Sequence, residues 1–453
     1  MNTPILDFVR NYAASNAVRM HMPGHKGKGA PEALLDITEI AGADDLFYAN
    51  GIIGESEKNA SQIFGCDTYY STEGSSLCIR AMLYLCRANS DGKKPWVLAA
   101  RNVHKTFISA CVLLDLDVEW IAPENDSFIS LDITASDVAK ALSDATEKRG
   151  NLPCCVYLTS PDYLGHILPV SDIAIVCHEN GIPLVVDNAH GAYLKFLEPS
   201  LHPIDLGADM CCDSAHKTLP ALTGSAYLHV NSDILSAKKD DVKTAMALFA
   251  STSPSWLILQ SLDRLNPILE TTFKTDLKKT IDLVSDAKKV LSDSGISLLG
   301  EEPLKITIKT KEMGCAGEKF AQSLRENRTP VEVEFSDPDQ VVLMVSSNNT
   351  KEEIEAVVTA VLNIAKKEPA ETNVISTNRP PRATIPERKM SMREAAMSPW
   401  ETVSLNEAEG RISHLVDCSC PPAIPVVVCG EKIGRNEIAI LRYYGYDSCR
   451  VVR

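Results

Sequence analysis

Between Pro31 and Val230, short apolar runs alternate with stretches of helical periodicity. The runs are WVLAA (Trp96 to Ala100), VEWIA (Val118 to Ala122), CCVYLT (Cys154 to Thr159), PLVVD (Pro183 to Asp187), DMCCD (Asp209 to Asp213) and SAYLHV (Ser225 to Val230). Helical patterns fall between them at Ser75 to Asn89, Ser136 to Lys148 and Ser171 to Asn180, the last two opening on Ser as an N-cap. Apolar strands separated by helices predict an α/β fold, a mostly parallel sheet with helices on both faces.

After Asn231 the pattern changes. Pro267 to Ser292 reads as a long amphipathic helical region. LKITIKT (Leu304 to Thr310), a helix over Gly317 to Asn327, VEVEF (Val331 to Phe335), VVLMVS (Val341 to Ser346) and a helix over Lys351 to Lys367 follow. The expected division is an N-terminal segment (1–30), a large domain (31–260), a smaller α+β domain (261–370), a Pro- and Arg-rich linker (371–400) and a C-terminal domain (401–453).

A formal net charge of −15 argues against a nucleic-acid or anionic-membrane partner. No apolar run reaches the roughly 18 residues of a membrane helix, and no signal-peptide pattern opens the chain, so the expected location is cytoplasmic. The 14 cysteines include Cys154, Cys155, Cys211, Cys212 and Cys429 inside apolar stretches, where they read as small buried side chains. Cys418 and Cys420 are closely spaced, but a reduced structural pair accounts for them better than a metal or redox role. No zinc-type ligand spacing is evident, so no metal is expected.

Sites in open α/β sheets form at the carboxyl ends of strands, and four such ends carry reactive residues. Asp187 ends PLVVD, where a buried carboxylate needs a partner. A pyridinium nitrogen is one candidate; capping the next helix is an equal alternative. Lys217 follows DMCCD in DSAHKTLPALTG, one strand–helix–strand step from Asp187. Partial burial of an amine there suits imine formation, and Ser214 and His216 could donate to a phosphate. EGSSLC (Glu73 to Cys78) opens a helix with Gly and two serines, a weak anion signal that also fits ordinary capping. His104, in RNVHKTF, could stack on a planar cofactor, although a lone His is more often structural.

These segments, with RMHMPGHKG (Arg19 to Gly27), DITEIAGADDL (Asp36 to Leu46), TSPDYLG (Thr159 to Gly165), DNAHGA (Asp187 to Ala192), STSPS (Ser251 to Ser255) and GRISHLVDCSCPPAIPVVVCGEKI, resemble the Orn/Lys/Arg decarboxylase family. That family comprises fold-type-I enzymes dependent on pyridoxal 5'-phosphate (PLP), and the length matches its short bacterial form. The resemblance implies decarboxylation of a basic amino acid in polyamine metabolism, arginine before lysine or ornithine. It implies Lys217 as the Schiff-base lysine, Asp187 on the ring nitrogen and His104 on the ring face. Ser75, Ser76, Ser214 and His216 would hold the phosphate, with Ala189 and His190 beside the ring. His216 or Lys217 would return a proton to Cα. Thr252 would reach the phosphate in a neighbouring subunit, making a homodimer the minimal unit. The chain departs from the family pattern at Asn188, where Glu is common, at Tyr193, Glu73 and Leu77, and in PPAIP where PPGIP is usual.

Three other readings stand beside this one. They are a different PLP reaction on the same fold (transamination, elimination or aldol cleavage), a non-catalytic relative, and a metal hydrolase using His21, His25, His190 and His216. The last lacks helix-face ligand spacing.

Overall fold

The structure is a computed structural model and describes residues 1–90, 94–121, 127–231, 237–367, 381–415 and 422–453. Among these, seven strands form one sheet: β1 (Asp67–Ser71), β2 (Trp96–Ala100), β3 (Asp117–Ile121), β4 (Cys155–Thr159), β5 (Leu184–Asp187), β6 (Met210–Asp213) and β7 (Ala226–Val230). Their order is β1-β7-β6-β5-β4-β2-β3. β2 and β3 are parallel, as are β5 and β6, while β7 runs antiparallel to both β6 and β1. β2, β5, β6 and β7 are buried at every position, which is why their sequences read as continuous runs rather than alternating ones.

β1 escaped the sequence reading because DTYYS buries polar side chains against specific partners. Thr68 Oγ1 meets His229 Nδ1 at 3.0 Å, and the Ser71 hydroxyl donates to the Gly74 carbonyl at 2.9 Å. The helix expected from Ser136 spans Ala135–Arg149, and its cap is Thr134. The Asp137 carboxylate accepts from Thr134 N–H at 2.8 Å while Thr134 Oγ1 accepts from Asp137 N–H at 3.3 Å, a capping box. Ser171 likewise lies inside its helix, Val170–Glu179, and does not cap it. The single helical region expected over Pro267 to Ser292 is two helices, Trp256–Thr271 and Phe273–Asp293. Pro267 sits inside the first, whose N-terminus is capped by Ser255.

The chain divides into two compact units, 1–91 with 154–156 and 170–276, and 92–153 with 157–169 and 277–453. The first unit holds β1, β5, β6 and β7 and a buried polar knot at Asp263. That carboxylate accepts from Leu6 N–H at 2.9 Å and Ser56 Oγ at 2.5 Å, and Asn266 Nδ2 donates to Tyr70 OH beside it at 2.9 Å. Burial pushes the Asp263 carboxyl up to about 6, against hydrogen bonds that pull it down. A raised carboxyl pKa favours the protonated fold. Its stabilisation is complete below the unfolded value near 4 and is lost as pH rises through about 6. The stability difference between wild type and Asp263→Asn should therefore shrink by about 3 kcal/mol between pH 4 and 7. Urea midpoints across that range check this, and a pH-independent difference would refute it.

The second unit contains β8 (Leu298–Leu299), β9 (Lys305–Ile308), β10 (Phe335–Ser336) and β11 (Val341–Met344), an antiparallel sheet in the order β10-β11-β9-β8. Of the expected strand Val331 to Phe335, only Phe335 enters a ladder. Phe320, Leu324, Ile354 and Val361, on the helices Gly317–Arg325 and Lys351–Lys367, pack with Ile306, Ile308, Val341 and Leu343 into one core. Near the C-terminus β12 (Trp400–Ser404) pairs antiparallel with β13 (Ser448–Val452).

No described helix is long and apolar enough to cross a membrane. Cys154, Cys155, Cys211, Cys212 and Cys429 are buried and form no disulfide among the described residues. Cys418 and Cys420 lie outside the described residues.

Candidate active site

Because β7 opposes both β6 and β1, the strands β1, β5 and β6 run the same way and end at one edge, at Ser71, Asp187 and Asp213. Three chain segments leave that edge: the turn into the helix Ser75–Ala88, the Asn188–Gly191 turn and the Ser214–Ser225 loop. Gly74, at φ 69°, adopts a left-handed conformation that a side chain would strain, and its N–H donates to the Gly224 carbonyl at 2.8 Å. Gly224 approaches so closely that a Cβ would lie 3.1 Å from the Thr72 carbonyl oxygen. The two glycines thus lock the Ser75 turn onto the Lys217 loop.

The result is a pair of hydroxyls, with Ser214 Oγ donating to Ser75 Oγ at 2.9 Å. The helix behind them has no acidic residue in its first turn and no side-chain cap from Gly74. Its N–H groups and dipole, with the hydroxyls, suit a phosphate or similar oxyanion. Ser76 is the second residue of this helix.

Lys217 lies on the one-turn helix Ala215–Thr218, and its Nζ is 2.8 Å from His190 Nε2. With Lys217 as the ammonium, which can only donate, His190 Nε2 is the acceptor. His216 is turned elsewhere: its Nδ1 lies 2.9 Å from the Ser225 carbonyl and donates to it. Asp187 is 3% exposed. Its Oδ1 accepts from Ala189 N–H at 3.2 Å and from the Cys212 thiol at 3.7 Å.

Asn188 is fully buried, its Nδ2 donating to Asp213 Oδ1 at 2.6 Å. Asp213 also meets His202 Nε2 and His229 Nε2, each at 3.1 Å. Burial raises the Asp213 carboxyl, but the two imidazoles outweigh it and hold the group well below the usual carboxylate range. An amide at 188 can donate to that buried anion; the Glu of the family pattern would repel it. The departure at Glu73 has a similar local reason, since its carboxylate accepts from Ser251 N–H at 2.7 Å and anchors the Ser251–Ser255 segment. Thr252, in that segment, is exposed.

His104 belongs to the second unit and caps the helix Lys105–Leu114. Its Nδ1 accepts from Thr106 N–H at 3.2 Å, a role the sequence reading did not foresee. Lys105 N–H donates to the Ala423 carbonyl at 2.8 Å, and the buried Arg101 guanidinium donates to the Pro425 and Val426 carbonyls at 3.0 Å each. Arg101 also pairs with Glu431 at 3.2 Å, both side chains being almost wholly buried. Arg101→Ala strands that carboxylate and two carbonyls. It should cost about 3–5 kcal/mol of stability, read as a fall in the urea midpoint; an unchanged midpoint would show the clamp to be idle.

The histidines of the metal-hydrolase reading are engaged separately: His21 with Tyr12, His25 with Asp36, His190 with Lys217 and His216 with Ser225. A cavity of about 550 Å³ in the second unit has Glu332, Glu334 and Glu353 in its lining and none of the candidate site residues. Those carboxylates already serve Arg325, Tyr163 and Thr350.

Residues 3–299 match the model for the Orn/Lys/Arg decarboxylase major domain and residues 376–447 the model for the family's C-terminal domain. A curated arginine decarboxylase from Halalkalibacterium halodurans is 32% identical over 97% of this chain and 93% of its own length. One from Bacillus subtilis is 29% identical over 97% of this chain and 93% of its own length. Among solved structures, the lysine decarboxylase of Francisella novicida superposes with a TM-score of 0.83, covering 100% of this chain and 81% of its own, at 16% identity. The match of both domain models and of full-length relatives means that the chain belongs to the Orn/Lys/Arg decarboxylase family, fold-type-I PLP-dependent enzymes that decarboxylate basic amino acids.

Proposed function

We propose that this chain decarboxylates arginine to agmatine, with Lys217 carrying the cofactor and Asp187 on its ring nitrogen. The relatives named arginine decarboxylase support the substrate. The observation that carries the site is the Lys217–His190 contact of 2.8 Å on the loop that follows β6, one strand from the carboxylate ending β5.

The residues present fit PLP. The Ser75 and Ser214 hydroxyls, 2.9 Å apart at a helix N-terminus, suit its phosphate, with Ser76 in the same turn. Asp187, held by Ala189 N–H and Cys212, is a fixed buried anion suited to keeping a proton on the ring nitrogen. His104, with Nδ1 accepting from the helix it caps, keeps its remaining proton on Nε2 and is the ring we assign to the cofactor's face. When bound, PLP supplies an electron-accepting ring for the pair left as the Cα–carboxylate bond breaks.

His190 accepts the hydrogen bond of Lys217 and is positioned to take up a proton when that amine is released. We assign the return of a proton to Cα to Lys217 Nζ. His216 is oriented by the Ser225 carbonyl and belongs with the phosphate-side residues. We assign to the exposed Thr252 a place at the phosphate site of a second copy in a homodimer, and a cytoplasmic enzyme is the setting we infer.

Measuring CO2 release from arginine, lysine and ornithine tests the substrate. Arginine should give a kcat/KM at least about tenfold above the others, since a size error of one methylene alone costs about 1–3 kcal/mol and an unmatched polar head group costs more. A preference for lysine or ornithine would overturn the assignment to arginine while leaving the family intact.

A further inference from the structure

We propose that His202, Cys211, Asp213 and His229 form a closed structural zinc site beneath the Lys217 loop. The sheet register builds it. Cys211 and Asp213 are two residues apart on β6 and so share one face. His229 on β7 is the direct cross-strand partner of Cys211 and presents its ring on that same face. His202 comes from a turn held by its own backbone: His202 N–H donates to Ser200 Oγ at 3.2 Å, and Asp205 N–H donates to the His202 carbonyl at 2.9 Å.

One donor atom from each of the four residues lies within 4.8 Å of all the others, and all four residues are buried. His202 Nε2 and His229 Nε2 are each 3.1 Å from Asp213 Oδ2, and Cys211 Sγ is 3.9 Å from His202 Nε2. Around a tetrahedral zinc, bonds of about 2.0 Å to N or O and about 2.3 Å to S put neighbouring donors roughly 3.3–3.6 Å apart. Those three separations lie within a few tenths of an ångström of that range, and the remaining pairs, all within 4.8 Å, close on the ion with shifts of about an ångström. Two imidazoles, a carboxylate and a thiolate are donors zinc accepts, and four protein ligands with no open position make a structural site rather than a catalytic one.

The surroundings are those of such a site. Thr68 Oγ1 lies 3.0 Å from His229 Nδ1 and donates onward to the Cys66 carbonyl at 3.2 Å, so it can accept the Nδ1 proton and leave Nε2 for the metal. The other Asp213 oxygen is held by Asn188 at 2.6 Å. Phe64 lies against both rings, its centroid 4.5 Å from His229 and 5.8 Å from His202, and keeps water out. Among the described residues, His202 Nδ1 has no hydrogen-bond partner, and its ring is held by Phe64, by the His229 ring and by its Nε2 contacts. Two hydrogen bonds to Asp213 would account for the histidines. The Cys211 thiol meets His202 Nε2 at 3.9 Å, and coordination places all four donors on one ion.

The site is tested on the untagged PLP-loaded enzyme by metal analysis and zinc X-ray absorption, readouts independent of turnover. The expected result is about one zinc per chain with one sulfur neighbour near 2.3 Å and N/O neighbours near 2.0 Å. The sulfur signal should vanish in Cys211→Ser. Zinc should raise the unfolding temperature of metal-stripped wild type by several degrees and leave His202→Ala unmoved. A wild-type enzyme that takes up no zinc when supplied with it, or zinc without a sulfur neighbour, would overturn the site. Zinc retained unchanged by Cys211→Ser would mean adventitious binding and overturn it equally. The absorption spectrum of wild type decides even if His202→Ala does not fold.

Discussion

Lys217→Ala is expected to abolish decarboxylation, with turnover reduced by about four orders of magnitude, and to remove the yellow absorbance of the bound cofactor. The side chain lies at the start of a loop fixed independently of it: His216 N–H donates to Ser225 O, and the Gly74 N–H donates to Gly224 O. Losing the amine removes its contact with His190, while the backbone bonds that fix the loop remain. The variant should therefore unfold near the wild-type urea midpoint while turnover disappears. An active, yellow Lys217→Ala would refute the assignment; an unfolded one would require the comparison with Lys217→Arg, which keeps the charge but cannot serve as the carrier amine.

For Asp187→Ala the expected result is a fall in kcat of about 100–1000-fold with weaker retention of PLP. Asp187 ends a fully buried strand, and a carboxylate there is costly unless something opposite needs its charge. Ala189 N–H and the Cys212 thiol donate to Oδ1 and, being uncharged, steer it without neutralising it. Asp187→Asn keeps the shape and both contacts but removes the charge, so it should lose nearly as much rate as the alanine variant. If Asp187→Asn turns over like wild type, the carboxylate is a structural cap and its proposed role fails.

What the sequence made legible follows from burial. β2, β5, β6 and β7 are covered on both faces, so their residues cannot alternate and stand out as apolar runs. β1 was not legible, since Thr68 and Ser71 are buried by partners, His229 and the Gly74 carbonyl, that no local pattern reveals. Helix starts were displaced for a similar reason: Thr134 and Ser136 both suit a cap, and only the reciprocal bond with Asp137 selects Thr134.

The candidate site divides the same way. Asp187 and Lys217 were found as charged residues after apolar strands, a signal local in sequence. Asn188 looked like drift in the pocket, yet it faces Asp213, a pairing set by the β5–β6 register. His229 meets Cys211 only through the β6–β7 ladder, so a cluster of four donors spread from 202 to 229 carried no ligand spacing to recognise. His104 was read for its ring face; that its Nδ1 also caps a helix depends on backbone angles rather than on residue type.

The central claim is that the amine of Lys217 carries the cofactor. Borohydride reduction of the PLP-loaded enzyme followed by peptide mass spectrometry tests it directly. The account predicts a single pyridoxyl modification, on the peptide that contains Lys217. Label on another lysine, or none on an enzyme that still releases CO2 from arginine, would contradict it.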